Sequence, residues 1–186
     1  MAGFHEARRP AIPIRNVEQA DLAAVLALNE HSVPAVNSLT AEKLEWFVGE
    51  AASFRVAVLS SSIAGFLICL PPEAPYGSPN FRWLIQRYED FLYIDRIAIV
   101  PAFRRRGIAS ALYKDAVAEA GSRYRMLACE VNLRPRNRES LDFHDRLGFK
   151  PVGTHDHGSV IVQYMVRSIP PQAGEARART STRAGP

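Results

Sequence analysis

One arginine-rich turn and three ionisable side chains in this 186-residue chain have types and spacings that can do chemistry. The turn is Arg104-Arg105-Arg106-Gly107-Ile108-Ala109-Ser110, which closes the apolar run Phe91 to Val100 and opens a helical pattern from Arg105 to Ala120. Ile108, Ala109, Leu112, Tyr113, Ala116, Val117 and Ala120 give that helix a full apolar stripe. Its beginning is badly built. No Ser, Thr, Asp or Asn is placed to cap it, and the three arginines crowd the positive end of the dipole, where each cation costs about a few tenths of a kcal/mol. An anion reverses that sign, since Gly107 and Ala109 keep side-chain bulk away and leave free N–H groups for phosphate oxygens. The plain alternative is a solvated arginine cluster in which Gly107 only serves the turn.

Glu130 interrupts Leu127, Ala128, Cys129 and Val131 in what reads as a buried strand. A carboxylate there must either raise its pKa or find a partner. The first outcome suits a general base acting through a water, and the second would pair it with Arg134 or Arg136. Asp95, in Tyr93-Ile94-Asp95-Arg96, falls by strand alternation on the side of Tyr93, Ile97 and Ile99. It is a candidate for holding an ammonium or serving as base, or else a partner for Arg96. His144 shares the inward side of a helix with Ser140, Leu141 and Leu147, and Asn137 stands where that helix needs its N-cap.

The elements that must position these groups follow from periodicity. Ile12 to Val17 reads as a strand, and Ala20 to Glu30 as a helix with Ala20, Ala23, Ala24, Ala27 and Leu28 inward. Thr40 caps a second helix reaching Glu50, with Leu44, Phe47 and Val48 inward. Phe54 to Leu59 and Ile63 to Leu70 form a hairpin across Ser60 to Ser62. Pro71 to Asp90 fits no period and reads as a long functional loop. The run Phe91 to Val100, the helix and the run Met126 to Leu133 make a strand-helix-strand unit and hence a parallel pair. A helix from Asn137 to Leu147 stops at Gly148, and Phe149 to Gly153 with Ser159 to Arg167 closes the sheet, giving an α/β (α+β) class.

The segment Ile99-Val-Pro-Ala-Phe-Arg-Arg-Arg-Gly-Ile-Ala-Ser-Ala-Leu112 resembles the central motif of the GNAT N-acetyltransferase superfamily, Gln/Arg-x-x-Gly-x-Gly/Ala, with Arg104, Gly107 and Ala109 at the defining positions. Glu130-Val-Asn-Leu-Arg-Pro-Arg-Asn137 and Ser140-Leu-Asp-Phe-His-Asp-Arg-Leu-Gly-Phe149 are similar to that family's closing blocks. The resemblance implies a mixed, mostly antiparallel sheet of six to seven strands, with a central parallel pair splayed for acyl-CoA and about four flanking helices. It places the domain at 11–168, after a flexible 1–10, and the Pro, Gly, Ala, Arg and Thr composition that follows reads as a disordered basic tail, 169–186.

The resemblance further implies acetyl-CoA as acyl donor and a primary amine as acceptor, joined by direct attack on the thioester. The backbone of Ile97, Ala98 and Ile99 would pair with the pantetheine arm, Arg104 to Ser110 would hold the pyrophosphate, and Asn137 would lie near the arm. Such a reaction needs a base, an oxyanion donor such as the N–H near Ile99, and an acid for the thiolate. Ribosomal-protein-type acetyltransferases carry a base-like Glu where Glu130 stands. His144 occupies the place of the family's tyrosine acid, which keeps open a second reading, a catalytically silent acyl-CoA sensor.

Bulk properties narrow the field. The net charge is +4, and the last sixteen residues, with Arg177, Arg179 and Arg183 against Glu175, supply half of it. Basic residues thus cluster in one turn and a tail without interleaved aromatics, which argues against nucleic acid as a partner. No apolar run is long enough for a membrane span and Met1 to Pro10 has no signal-peptide core, so a cytoplasmic protein is expected. Cys69 and Cys129 sit in apolar runs without a Cys/His cluster, so they read as inert core thiols with no metal site. Val160 to Val166 leaves both monomer and homodimer open.

Overall fold

The computed structural model describes residues 11–121 and 123–170. The expected flexible start 1–10 and residues 171–186 of the expected tail lie outside the described residues. Seven strands form one sheet in the order β1-β2-β3-β4-β5-β7-β6: β1 Ile14–Asn16, β2 Ser53–Leu59, β3 Ser62–Leu70, β4 Phe91–Ile99, β5 Met126–Arg134, β6 Lys150–Asp156 and β7 Ile161–Ser168. Helices α1 (Leu22–His31), α2 (Ala41–Glu50), α3 (Pro79–Ile85), α4 (Ile108–Ala120) and α5 (Arg138–Arg146) flank it. The β2–β3 hairpin closes through Ser60 and Ser61, both at positive φ (49° and 61°), as the twist of a tight hairpin demands.

Each face of the sheet carries its own core. Val25, Phe47, Phe66, Ile68, Phe81, Tyr93 and Tyr164 pack beneath α1, α2 and α3. Leu67, Cys69, Leu92, Leu112, Tyr113, Leu127 and Phe149 pack beneath α4 and α5. Both thiols are buried and unpaired, as their apolar runs predict. Every fully covered aromatic or branched side chain contributes about 1.5–3 kcal/mol, so the two cores outweigh any surface ion pair.

Several readings of the sequence are corrected by the fold. In α1 the buried residues are Leu22, Val25, Leu28 and Asn29, while Ala23, Ala24 and Ala27 are exposed. Larger apolar area decides which stripe turns inward, and alanine offers little. Val48 of α2 is likewise 42% exposed. The long loop contains α3, started by the Ser78 hydroxyl accepting from Phe81 N–H, with Pro79 at the first position where its missing N–H is harmless. Helix α4 begins at Ile108, three residues later than its pattern suggested, because Arg105 (φ 60°) and Gly107 (φ 86°) are left-handed.

Two features of β4 shape the middle of the sheet. Its parallel ladder with β5 has only three rungs, Phe91–Met126, Leu92–Leu127 and Tyr93–Ala128. Its antiparallel ladder with β3 skips a residue, since Ile68 faces Arg96 and Cys69 faces Ile94, leaving Asp95 as a bulge. A bulge puts two successive side chains on one side. Asp95 and Arg96 both join Tyr93 on the α1–α2 side, whereas Ile97 and Ile99 pack with the α4–α5 core. Strict alternation had placed Asp95 with Ile97 and Ile99, and the bulge separates them.

Candidate active site

A cleft of about 510 Å³ opens where the β4–β5 ladder stops. Most of the predicted site residues meet there: Asp95, Ile97, Ala98 and Ile99 from β4, Arg104, Arg105 and Gly107 to Ser110 from the turn and α4, Glu130 from β5, and Asn137 and His144 from α5. Arg106 is not in the wall, and its guanidinium lies 5.3 Å over the ring of Phe103. Asn137 does the structural job expected of it, its Oδ1 accepting from Ser140 N–H at 3.1 Å as the cap of α5.

Among the described residues Glu130 has no arginine partner. Arg134 instead reaches Asp156 and the Gly158 carbonyl at the surface. The Tyr93 hydroxyl lies 3.0 and 2.9 Å from the two carboxylate oxygens, and Asn80 Nδ2 donates to Oε1 at 3.0 Å. The Asn80 amide is itself oriented, because its Oδ1 accepts from the Tyr164 hydroxyl at 3.0 Å and from His157 Nε2–H at 2.8 Å. Burial first, and the charge of Asp95 second, push the Glu130 carboxyl up to about 7 against the pull of these two donors. A carboxylate with that pKa changes protonation near neutrality, as a general base must.

Asp95 is engaged differently. Its Oδ2 takes Arg96 Nε–H at 2.6 Å, and its side chain is only 3% exposed. It therefore acts on Glu130 as a nearby charge.

Both ring nitrogens of His144 are occupied. Nδ1 lies 2.8 Å from the Ser140 carbonyl, which only accepts, so this nitrogen carries the proton and Nε2 accepts from the Tyr113 hydroxyl at 2.7 Å. Burial pushes the imidazole below its ordinary value, so it stays neutral. In this state His144 presents no N–H of its own to the cleft.

Among the described residues no side chain caps α4, whose N-cap is Gly107 at φ 86° and ψ 4°. A Cβ added there would meet nothing within 4 Å, so the space beside the turn is open. Uncapped first-turn N–H groups, Arg104 and Arg105 in the wall and open space fit a pyrophosphate. Beyond Tyr93, β4 has no ladder to β5, so its edge fits the amides of an extended arm. Among the described residues no group of three or more His, Cys, Asp or Glu is placed to hold a metal ion, and no helix is long and apolar enough to cross a membrane.

The model of the acetyltransferase (GNAT) family matches residues 22–149. The chain belongs to that family. It is a GNAT N-acetyltransferase, an enzyme that moves acetyl groups to amines. It is similar to an N-alpha-acetyltransferase of Saccharolobus solfataricus, 22% identical over 75% of this chain and 80% of the relative. Its fold is that of Ard1 from Thermoplasma volcanium (TM-score 0.70, 19% identical, 87% of this chain and 99% of the other). It also matches the ribosomal-protein-S18-alanine N-acetyltransferase from Escherichia coli (TM-score 0.66, 19% identical, 88% and 96% covered).

Within this GNAT site, sequence reasoning missed Tyr93, Asn80, Tyr164, His157 and Tyr113. Tyr93 and Asn80 hold Glu130, and Tyr164 and His157 hold Asn80, from β4, α3, β7 and the turn between β6 and β7, elements far apart in the chain. The position of Tyr113 two turns into an otherwise apolar stripe carried a signal, since a buried phenol needs a partner.

Proposed function

We propose that the chain transfers an acetyl group from acetyl-CoA to a primary amine by direct attack in a ternary complex, with Glu130 as the base. The observation that carries this reading is the Glu130 carboxylate, held by Tyr93 and Asn80 at the point where β4 and β5 part. The amine arrives as an ammonium, and a carboxylate with pKa about 7 takes its proton through a water. The turn Arg104–Ser110 and the β4 edge at Ile97–Ile99 fix the donor so that its thioester meets the amine. The backbone N–H near Ile99 is the donor assigned to the developing oxyanion. The leaving thiolate takes the second proton that the attacking nitrogen sheds as the tetrahedral intermediate collapses, and the hydrogen-bonded Tyr113–His144 pair forms the cleft wall beside it. The name of the archaeal relative supports the α-amine of a peptide or protein as acceptor.

The test joins binding to turnover. Acetyl-CoA should raise the melting temperature, and free CoA should appear when peptides with free α-amines or small primary amines are added. Glu130→Gln should keep the melting shift and lose turnover. Absence of any acetyl-CoA effect would overturn the proposal.

A further inference from the structure

Arg96 is a buried cation in the middle of a core strand, 7% exposed, and the mechanism above does not use it. Its partners lie in two directions. Nε–H donates to Asp95 at the bulge, while Nη1 reaches out to Asn29 Oδ1 at 3.0 Å and to the Asn37 carbonyl at 3.3 Å. Asn29, fully buried on α1, donates to the same Asn37 carbonyl at 3.1 Å and to Glu30 Oε1 at 2.9 Å. Glu30 completes the circuit by accepting from Leu39 N–H at 2.8 Å and from the Ser38 hydroxyl at 2.7 Å. The segment between α1 and α2 is thereby pinned at 37, 38 and 39, and Ser32, Ala35 and Val36 of the same segment form a wall of the cleft.

We infer that Arg96 is a positioning residue that clamps the 32–39 segment to the β4 bulge and so sets the acceptor-side wall of the cleft. The inference rests on the acetyl-transfer reading for the word acceptor, while the clamp stands on geometry alone. A guanidinium suits the task because its planar fork donates in two directions at once, to Asp95 on its own strand and to the pinned segment across the core. A lysine has one nitrogen and can serve only one side. The bulge is what makes the arrangement possible, since it turns Asp95 and Arg96 to the same face. Wall and bulge then move together, and an acceptor large enough to touch Ser32 to Val36 is sensed at β4.

The experiment compares Arg96→Met and Arg96→Lys in the full chain, with Asn29→Ala as a second cut that spares the Asp95–Arg96 pair. Amide hydrogen exchange is read at 32–39, and steady-state kinetics are run with a hexapeptide bearing a free N-terminal serine and with ethylamine, which is too small to reach the wall. Arg96→Met should speed exchange selectively at 32–39 and raise KM for the peptide about tenfold or more, with ethylamine KM and acetyl-CoA affinity within about twofold, and Asn29→Ala, which leaves Asp95 paired, should do the same with kcat also within about twofold. Arg96→Lys should recover part of the peptide KM, and Asn29→Ala should reproduce the exchange change if Arg96→Met fails to fold. Unchanged exchange at 32–39 overturns the clamp, and equal KM changes for both amines overturn its role in the wall. If wild-type protein acetylates neither amine the transfer reading fails, and the exchange result still decides the clamp.

Discussion

The hydroxyl of Tyr93 on β4 sits 3.0 and 2.9 Å from the two carboxylate oxygens of Glu130 on β5, just where the ladder between those strands ends. One phenol therefore orients the whole carboxylate and opposes the burial that raises its pKa. Removing that donor with Tyr93→Phe should move the basic requirement of the reaction to higher pH. The shift is read from the acidic limb of the kcat profile, expected near pH 7 in wild type.

Glu130→Gln keeps the shape and deletes the proposed base. Turnover should fall by about a hundredfold or more, with acetyl-CoA affinity retained, because the proposed donor site lies at the turn and the β4 edge. Isothermal titration beside steady-state kinetics separates the two quantities. A variant with wild-type kcat would remove Glu130 from the mechanism.

The same carboxylate makes stability pH-dependent. Its pKa is about 7 in the folded state and about 4.5 when unfolded, so between those values the folded state keeps a proton that the unfolded state has lost. Stability should accordingly fall as pH rises from about 4.5 to 7 and level off above, by an amount on the order of 3 kcal/mol. Urea melts across that range should show the slope in wild type and a flatter line in Glu130→Gln.

Tyr113 and His144 should behave as one unit. His144→Phe strands a buried phenol and Tyr113→Phe strands Nε2, so each should cost about 1–3 kcal/mol of stability. Each should lower kcat, and the double variant should lose little more than either single one, as coupled partners do. Additive rate losses in the double-mutant cycle would assign them separate roles.

Gly153→Ala tests the support behind Asn80. A Cβ at Gly153 would lie 2.8 Å from Trp83, which stacks on Tyr164 at 3.9 Å, and Tyr164 in turn donates to Asn80. Displacing the indole should destabilise the fold by about 1–3 kcal/mol. Because the Glu130 carboxylate loses an oriented donor, kcat should also fall, which a thermally matched control at an exposed site would not show.

Much of this was legible from residues. The uncapped, arginine-flanked start of α4 announced itself because it breaks local rules that most helices obey. Glu130 was visible as a charge in an apolar strand, and all seven β-strands were placed within a few residues. What remained hidden was whatever depends on register or on distant partners. The bulge at Asp95 cannot be read from alternation, which assumes it away, and it decided that Asp95 pairs with Arg96. The inward stripe of α1 was misplaced because four alanines have the right spacing and too little surface to determine the outcome. Asn80 lies in a proline-rich stretch whose only helix spans seven residues, too short to show a period.

The three-rung ladder between β4 and β5 also has a meaning for the chain as a whole. Strands β1 to β4 come from its first part and β5 to β7 from its last, so the sheet is two sequence-contiguous halves stitched at one end. The proposed catalytic centre lies in the unstitched seam. Any molecule that bonds to both lips of that seam acts as a suture, and the cohesion of the two halves becomes a gauge of its concentration.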